Sequence, residues 1–280
     1  MNCPITSAES ATRCLEWFKK DLSYNQEHDL WASLTPIYER IITRASELGD
    51  FFEDIDGQLD YVQRKLFLEI LLDVDMFWSS QCAEHIRKQY NFLLDSNEQI
   101  AKAFRHLETL LQDRADFTQE RRWYSYVDTG VADVLFTAGK QYPLFRSRVS
   151  DKFLSLMSYD DKYWPPFTEL LNELGNRFQE AEIEPSDESL WLLLDQKRAS
   201  SLDVLILFFT EIQNRKRGTR LNKNFRLRDS SVASAINIAM DMPPEALFTA
   251  EKVKVGRQNL RNKGWDVWGE PYRSQEYSDY

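Results

Sequence analysis

In the stretch QLDYVQRKLFLEILLDVDMFW, residues 58–78, Val62, Leu66, Ile70 and Val74 fall four apart. Leu59, Phe67, Leu71, Phe77 and Trp78 widen that stripe. A face so broad packs against several neighbours at once, which is what a helix inside a bundle does. Spacings of three and four recur along the chain, whereas strand-like alternation is rare. Glycine is also scarce, nine in 280 residues. Parallel α/β enzymes place glycine at strand–helix turns and phosphate loops, and neither GxxxxGK[ST] nor GxGxxG occurs. The expected fold class is therefore all-α, a multi-helix bundle of eight to ten helices with a smaller basic helical C-terminal region.

The same periodicity predicts helices over about 7–22 and 27–48, the latter stopped at Gly49. A helix over 81–95 is followed by one capped at Ser96, with Ile100, Phe104, Leu107 and Leu111 on one face. Further helices are expected over 124–140, 145–157, 165–181 and 187–213, the last opened by Ser186 and split at Ser200–Ser201. A short helix over 229–242 is expected to be capped by Ser230 or Ser231.

Hydrophobic residues make up 42% of the chain, enough to build a core. Cys3, Cys14 and Cys82 form no disulfide framework and no zinc spacing. The N-terminus lacks the pattern of a secretory signal. The longest apolar run, Ser201 to Phe209, is far short of the ~20 residues that span a membrane. The expectation is a cytoplasmic protein with no membrane contact and no cofactor.

Charge is segregated. The chain carries −10 overall, yet residues 214–264 hold 12 Lys or Arg against 4 Asp or Glu. Residues 1–213 are correspondingly acidic, and a boundary is drawn near 214, with a tail from 265. The block NRKRGTRLNKNFRLR supplies Arg215, Lys216, Arg217, Arg220, Lys223, Arg226 and Arg228. Such a cluster either ties the region to the chain's own acidic bundle or neutralises phosphates of DNA or RNA. Phe225 is the lone aromatic in the block, too few for a stacking platform, so duplex backbone is the better fit. An acidic protein partner is the third possibility.

The segment TAEKVKVGRQNLRNKGW, 249–265, has the shape of a helix-turn-helix pair. Ala250 is its small residue, Val253 and Val255 flank the turn, and Leu260 anchors the second helix. That arrangement would give Arg257, Gln258, Asn259 and Arg261 access to base edges. Two ordinary short helices are the alternative.

Catalytic signals are weak. His28, His85 and His106 have no ExxH, HExxH or RxxxxH context. Glu53, Asp54, Asp56 and Asp60 miss the calcium-loop pattern and suit a solvated helix entry. Asp73 lies on an apolar helical face and is expected to pair with an Arg from another helix; a buried site around Asp73, Glu69 and His85 is the enzymatic alternative. Cys14 and Cys82 read as structural; Trp265, Trp268, Tyr272, Tyr277 and Tyr280 read as anchors that dock the tail in cis or on a partner, with cis packing expected of the two Trp.

The functional expectation is a non-enzymatic subunit or adaptor of a protein complex whose basic region contacts DNA or RNA, in a regulatory, genome-maintenance or phage-defence setting. A protein-only interaction scaffold is the alternative.

Overall fold

The computed structural model describes residues 7–121, 130–196, 200–218 and 224–269, and among them there is no β-strand. The fold is all-α, as the periodicity implies. It divides into two compact units, one of Met1–Lys88 with Glu184–Tyr280 and one of Gln89–Ile183.

The first unit contains α1 (Ser7–Glu27), α2 (Thr35–Thr43), α3 (Gly49–Gln58), α4 (Tyr61–Leu68), the start of α5 (Ser80–Arg121), α10 (Leu190–Leu194), α11 (Ser201–Gly218), α12 (Asp229–Ala239) and α13 (Ala250–Asn262). Asp60 starts α4 with a reciprocal capping box to Gln63. Residues 59–78, expected as one helix, break after Leu68 into a 3-10 turn and a π turn over Val74–Trp78. That irregular run keeps Val74 and Trp78 buried, and the Trp78 indole donates to the Ile70 carbonyl.

The helix α11 lies at the centre. Every residue from Asp203 to Thr210 is buried, so it is apolar all round, as only a helix enclosed by neighbours is. Its start is the expected split at Ser200–Ser201, where the Asp203 carboxylate accepts from the Ser200 amide at 3.0 Å. Phe208 meets Trp78 edge-on at 4.9 Å. Phe209 meets Trp268 at 5.2 Å, so both anchor tryptophans do pack in cis, Trp265 being fully buried. The tail tyrosines lie outside the described residues.

The run 27–48 shortens to α2 with flanking 3-10 turns, and Gly49 begins α3 rather than ending a helix. Ser230 and Ser231 do not cap α12. Their hydroxyls donate to Asp50 and Asp54 on α3, which joins the two helices. The turn expected at Lys254–Gly256 is helical, because α13 runs unbroken through it. Gly256 serves packing there: a Cβ would lie 2.3 Å from a methyl of Leu205 on α11. The helix ends instead at Gly264, whose φ of +90° favours glycine and turns Trp265 into the core. No break accompanies the change of charge at 214, which falls inside α11. Phe225, Leu227 and Val232 beyond it join the same core as Phe18 and Phe51.

The second unit holds the rest of α5 with α6 (Val131–Gly139), α7 (Pro143–Arg148), α8 (Ser150–Leu156) and α9 (Phe167–Glu180). Ser96 caps nothing, since α5 passes through it. Residues 124–129 of one expected helix lie outside the described residues. The helix α9 packs on α5 at Gly175, where a Cβ would stand in ordinary van der Waals contact with the Ala101 carbonyl and Phe104. Phe136, Phe145 and Phe153 form a half-buried ring cluster with spacings of 5.9–6.3 Å.

Candidate functional site

The basic block begins on the last turn of α11, where Arg215 is 13% exposed. Its Nε donates to Glu211 at 3.0 Å, one Nη donates to the Leu66 carbonyl, and the other pairs with Asp73. Glu69 stands 3.8 Å away. The expected pairing of Asp73 with an Arg from another helix is thus present. Burial pushes the Glu69, Asp73 and Glu211 carboxyls above the usual carboxylate range, and the Arg215 charge works against that rise. A single guanidinium does not offset the desolvation of three acids. His85, placed with Asp73 and Glu69 in the enzymatic alternative, is exposed on α5.

Lys216 is the opposite case. Its ammonium is buried without a hydrogen-bond partner among the described residues and sits 5.3 Å from the Trp268 ring centre. Burial pushes its pKa down to about 8, helped by the Arg226 charge and opposed by Asp266. Arg217 reaches Asp187 at 3.3 Å. Arg228 is held by Glu53 at 2.7 Å and Asp54 at 2.8 Å, with Asp50 at 3.8 Å. Burial lowers the Arg228 pKa, but these three carboxylates outweigh it and the net shift is upward. Arg226 has an exposed side chain, while its backbone is bonded to Gln58. Arg220 and Lys223 lie outside the described residues.

On α13, Arg257 grips Asp229 through two bonds of 2.6 and 2.8 Å. Arg261 reaches Asp266 at 3.2 Å, and Gln258 donates to Asn262. Asn259 is exposed. Lys254, Arg257, Gln258 and Arg261 line one cavity of about 160 Å³ with Asp266 and Val267. The structure therefore gathers the four α13 candidates on one helix and leaves Arg215, Arg217 and Arg228 of the block on separate intramolecular partners.

The acidic stretch after Phe52 is not a solvated loop. Asp56 is buried, with Arg13 at 2.5 Å, Arg64 at 2.7 Å and the Ser10 hydroxyl at 3.0 Å. Glu53 and Asp54 hold Arg228. Cys14 is buried, which pushes its thiol up to about 12 and leaves it protonated.

The remaining signal lies in the second unit. Among the described residues there, Ala101, Val131, Ala132 and Leu171 are the buried apolar side chains. Phe92 at 69%, Leu144 at 77% and Tyr163 at 69% are far more exposed. The sequence carried this hint only as ordinary helical periodicity, which does not say whether a neighbour covers the apolar face. No protein-family model, curated protein or solved structure matches the chain. Among the described residues no helix is long and apolar enough to cross a membrane.

Proposed function

We propose that the protein is a non-enzymatic helical subunit or adaptor that acts by binding protein, with the second unit as its binding part. The observation that carries this is the inverted burial of that unit, where large apolar side chains face outward on α5, α7 and α8. Large exposed apolar patches mark interaction sites, and these side chains supply the residues from which one could be built. The cations expected to meet phosphates supply less support. Arg215, Arg217, Arg228, Arg257 and Arg261 each already meet a carboxylate of the same chain.

A second reading, contact with DNA or RNA, retains one favourable observation: the cavity on α13 lined by Lys254, Arg257, Gln258 and Arg261. Salt dependence separates the readings. About seven phosphate contacts give a log–log slope near −6, about three give roughly −3, and none gives zero. The test is titration of the full chain with duplex DNA and with single-stranded RNA over a range of salt. The protein-binding reading expects a slope near zero, together with a protein partner that stays bound after nuclease treatment. A slope near −3 that becomes shallower by at least about one in Lys254→Glu overturns it in favour of the α13 face. A slope near −6 favours the whole basic block.

A further inference from the structure

The helix α5 carries a repeat that neither its capping residues nor its four-residue spacings reveal. Leu93, Ser96, Ile100, Ala103, Leu107, Leu110, Arg114 and Phe117 follow one another at alternating intervals of three and four. That is a 3.5-residue period held over four heptads, the pattern of a coiled-coil seam rather than of a helix packed in a globular core. The seam faces outward: Leu93 is 46% exposed, Leu107 42%, Leu110 49% and Phe117 55%, and Ala103 is exposed too. The neighbouring helix α9 packs on another side of α5, against Ala101 and Phe104.

We propose that this seam is a homodimer interface, in which the α5 helices of two copies pair antiparallel about a two-fold axis beside residue 105. This rests on the protein-binding reading above and names the partner as a second copy of the chain. The seam is self-complementary in this orientation. An antiparallel two-fold at that point sets Leu93 against Phe117 of the other copy, Ile100 against Leu110 and Ala103 against Leu107. It also sets Ser96 against Arg114. Every apolar position then meets an apolar one, the smallest residue meets a large one, and the two polar positions meet each other. Parallel pairing matches it on the first count and does worse on the other two. It stacks Arg114 on Arg114, which is repulsive, and Ala103 on Ala103, which leaves a gap.

The area is adequate but modest. The seam runs over Leu93 to Phe117, ~36 Å of helix, and a half-cylinder of that length and ~10 Å diameter has roughly 570 Å² of surface. Two such strips bury about 1,100 Å², just above the ~1,000 Å² that a specific interface needs. A reversible dimer with a dissociation constant on the order of micromolar follows.

Sedimentation equilibrium of the full chain across a range of concentrations tests the stoichiometry. The expected result is a monomer–dimer equilibrium that Leu107→Glu combined with Leu110→Glu shifts at least tenfold toward monomer, with far-UV circular dichroism unchanged because both residues are exposed. Orientation is read by a short dithiol-reactive cross-linker. Ser96→Cys with Arg114→Cys should give a 96–114 link between copies, whereas Ser96→Cys alone should give no 96–96 link. A wild-type chain that stays monomeric at about a hundred times the expected dissociation constant overturns the dimer. A dominant 96–96 link overturns its antiparallel arrangement. If the wild type is monomeric, yet a protein partner retained after nuclease treatment is lost in the double glutamate variant, the dimer falls and the protein-binding reading stands. If neither self-association nor such a partner is found, both fall.

Discussion

The two units place their large apolar side chains in opposite ways. In the first, Phe18, Phe51, Phe67, Trp78, Phe208 and Trp265 are fully buried, and the cations Arg13, Arg64 and Arg215 are met by carboxylates. In the second, half-buried Phe136, Phe145 and Phe153 are the centre of what packing there is, while Leu107, Leu110 and Leu144 face outward. Both units come from one chain with similar helical periodicity, so periodicity alone does not decide burial. What decides it is whether another helix is present to cover the stripe. In the first unit the apolar run Val204–Phe209 of α11, buried on every side, supplies that cover for its neighbours. The second unit has no helix of that kind among its described residues.

The sharpest attempt to break this contrast is Phe208→Ala. Phe208 is fully buried between Trp78 and Phe209, with ring centres at 4.9 and 5.9 Å. Truncation removes its transfer free energy and leaves a cavity that rigid aromatic neighbours do not fill, so the loss should be about 4 kcal/mol. The urea unfolding midpoint measures it. A loss under about 1 kcal/mol would mean that α11 is not the centre of a packed core.

Next in size is Arg215→Met. Met keeps much of the apolar stem, but Glu69, Asp73 and Glu211 lose their shared counter-charge. Breaking a fully buried pair costs ~3–5 kcal/mol; with Asp73 24% and Glu69 37% exposed, about 2 kcal/mol is expected near neutral pH. The pH dependence has a definite sign. These carboxyls already sit above their ordinary range, and losing Arg215 raises them further. Their charged forms then penalise the folded state at neutral pH, and the penalty fades as pH falls through the raised values. The deficit should shrink as the pH is lowered from neutral. A deficit that stays constant would show that Arg215 acts through the non-titrating Leu66 carbonyl rather than through the acids.

The fold class was legible because helical periodicity and scarce glycine are local signals. So was the pairing of Asp73, since a carboxylate on an apolar face needs a cation wherever it folds. The fate of the basic block was less legible. Arg228 finds Glu53 and Asp54 across a sequence separation of more than 170 residues, and no local pattern announces that meeting. Gly256 shows the limit from another side, because a glycine that looks like a turn is explained here by the close approach of α13 to Leu205. The α5 seam was present in the residues but hidden by the stop assigned at Ser96. Once the helix is continuous, the 3.5-residue repeat stands out.

The smallest expected effect tests the second unit. Leu144 is 77% exposed on α7, so Leu144→Ser removes almost no intramolecular contact. Surface substitutions of this kind usually change stability by less than ~0.5 kcal/mol, and the helix-propensity difference between the residues is only a few tenths. The urea midpoint should therefore barely move, roughly a tenth of the shift expected for Phe208→Ala. A loss above about 1 kcal/mol would show that Leu144 is covered in solution. Repeating the measurement at tenfold dilution then identifies the cover. A loss that disappears on dilution comes from a second copy, because only association depends on concentration. A loss that persists comes from the chain itself, and the contrast between the two units would then be smaller than the exposed side chains suggest.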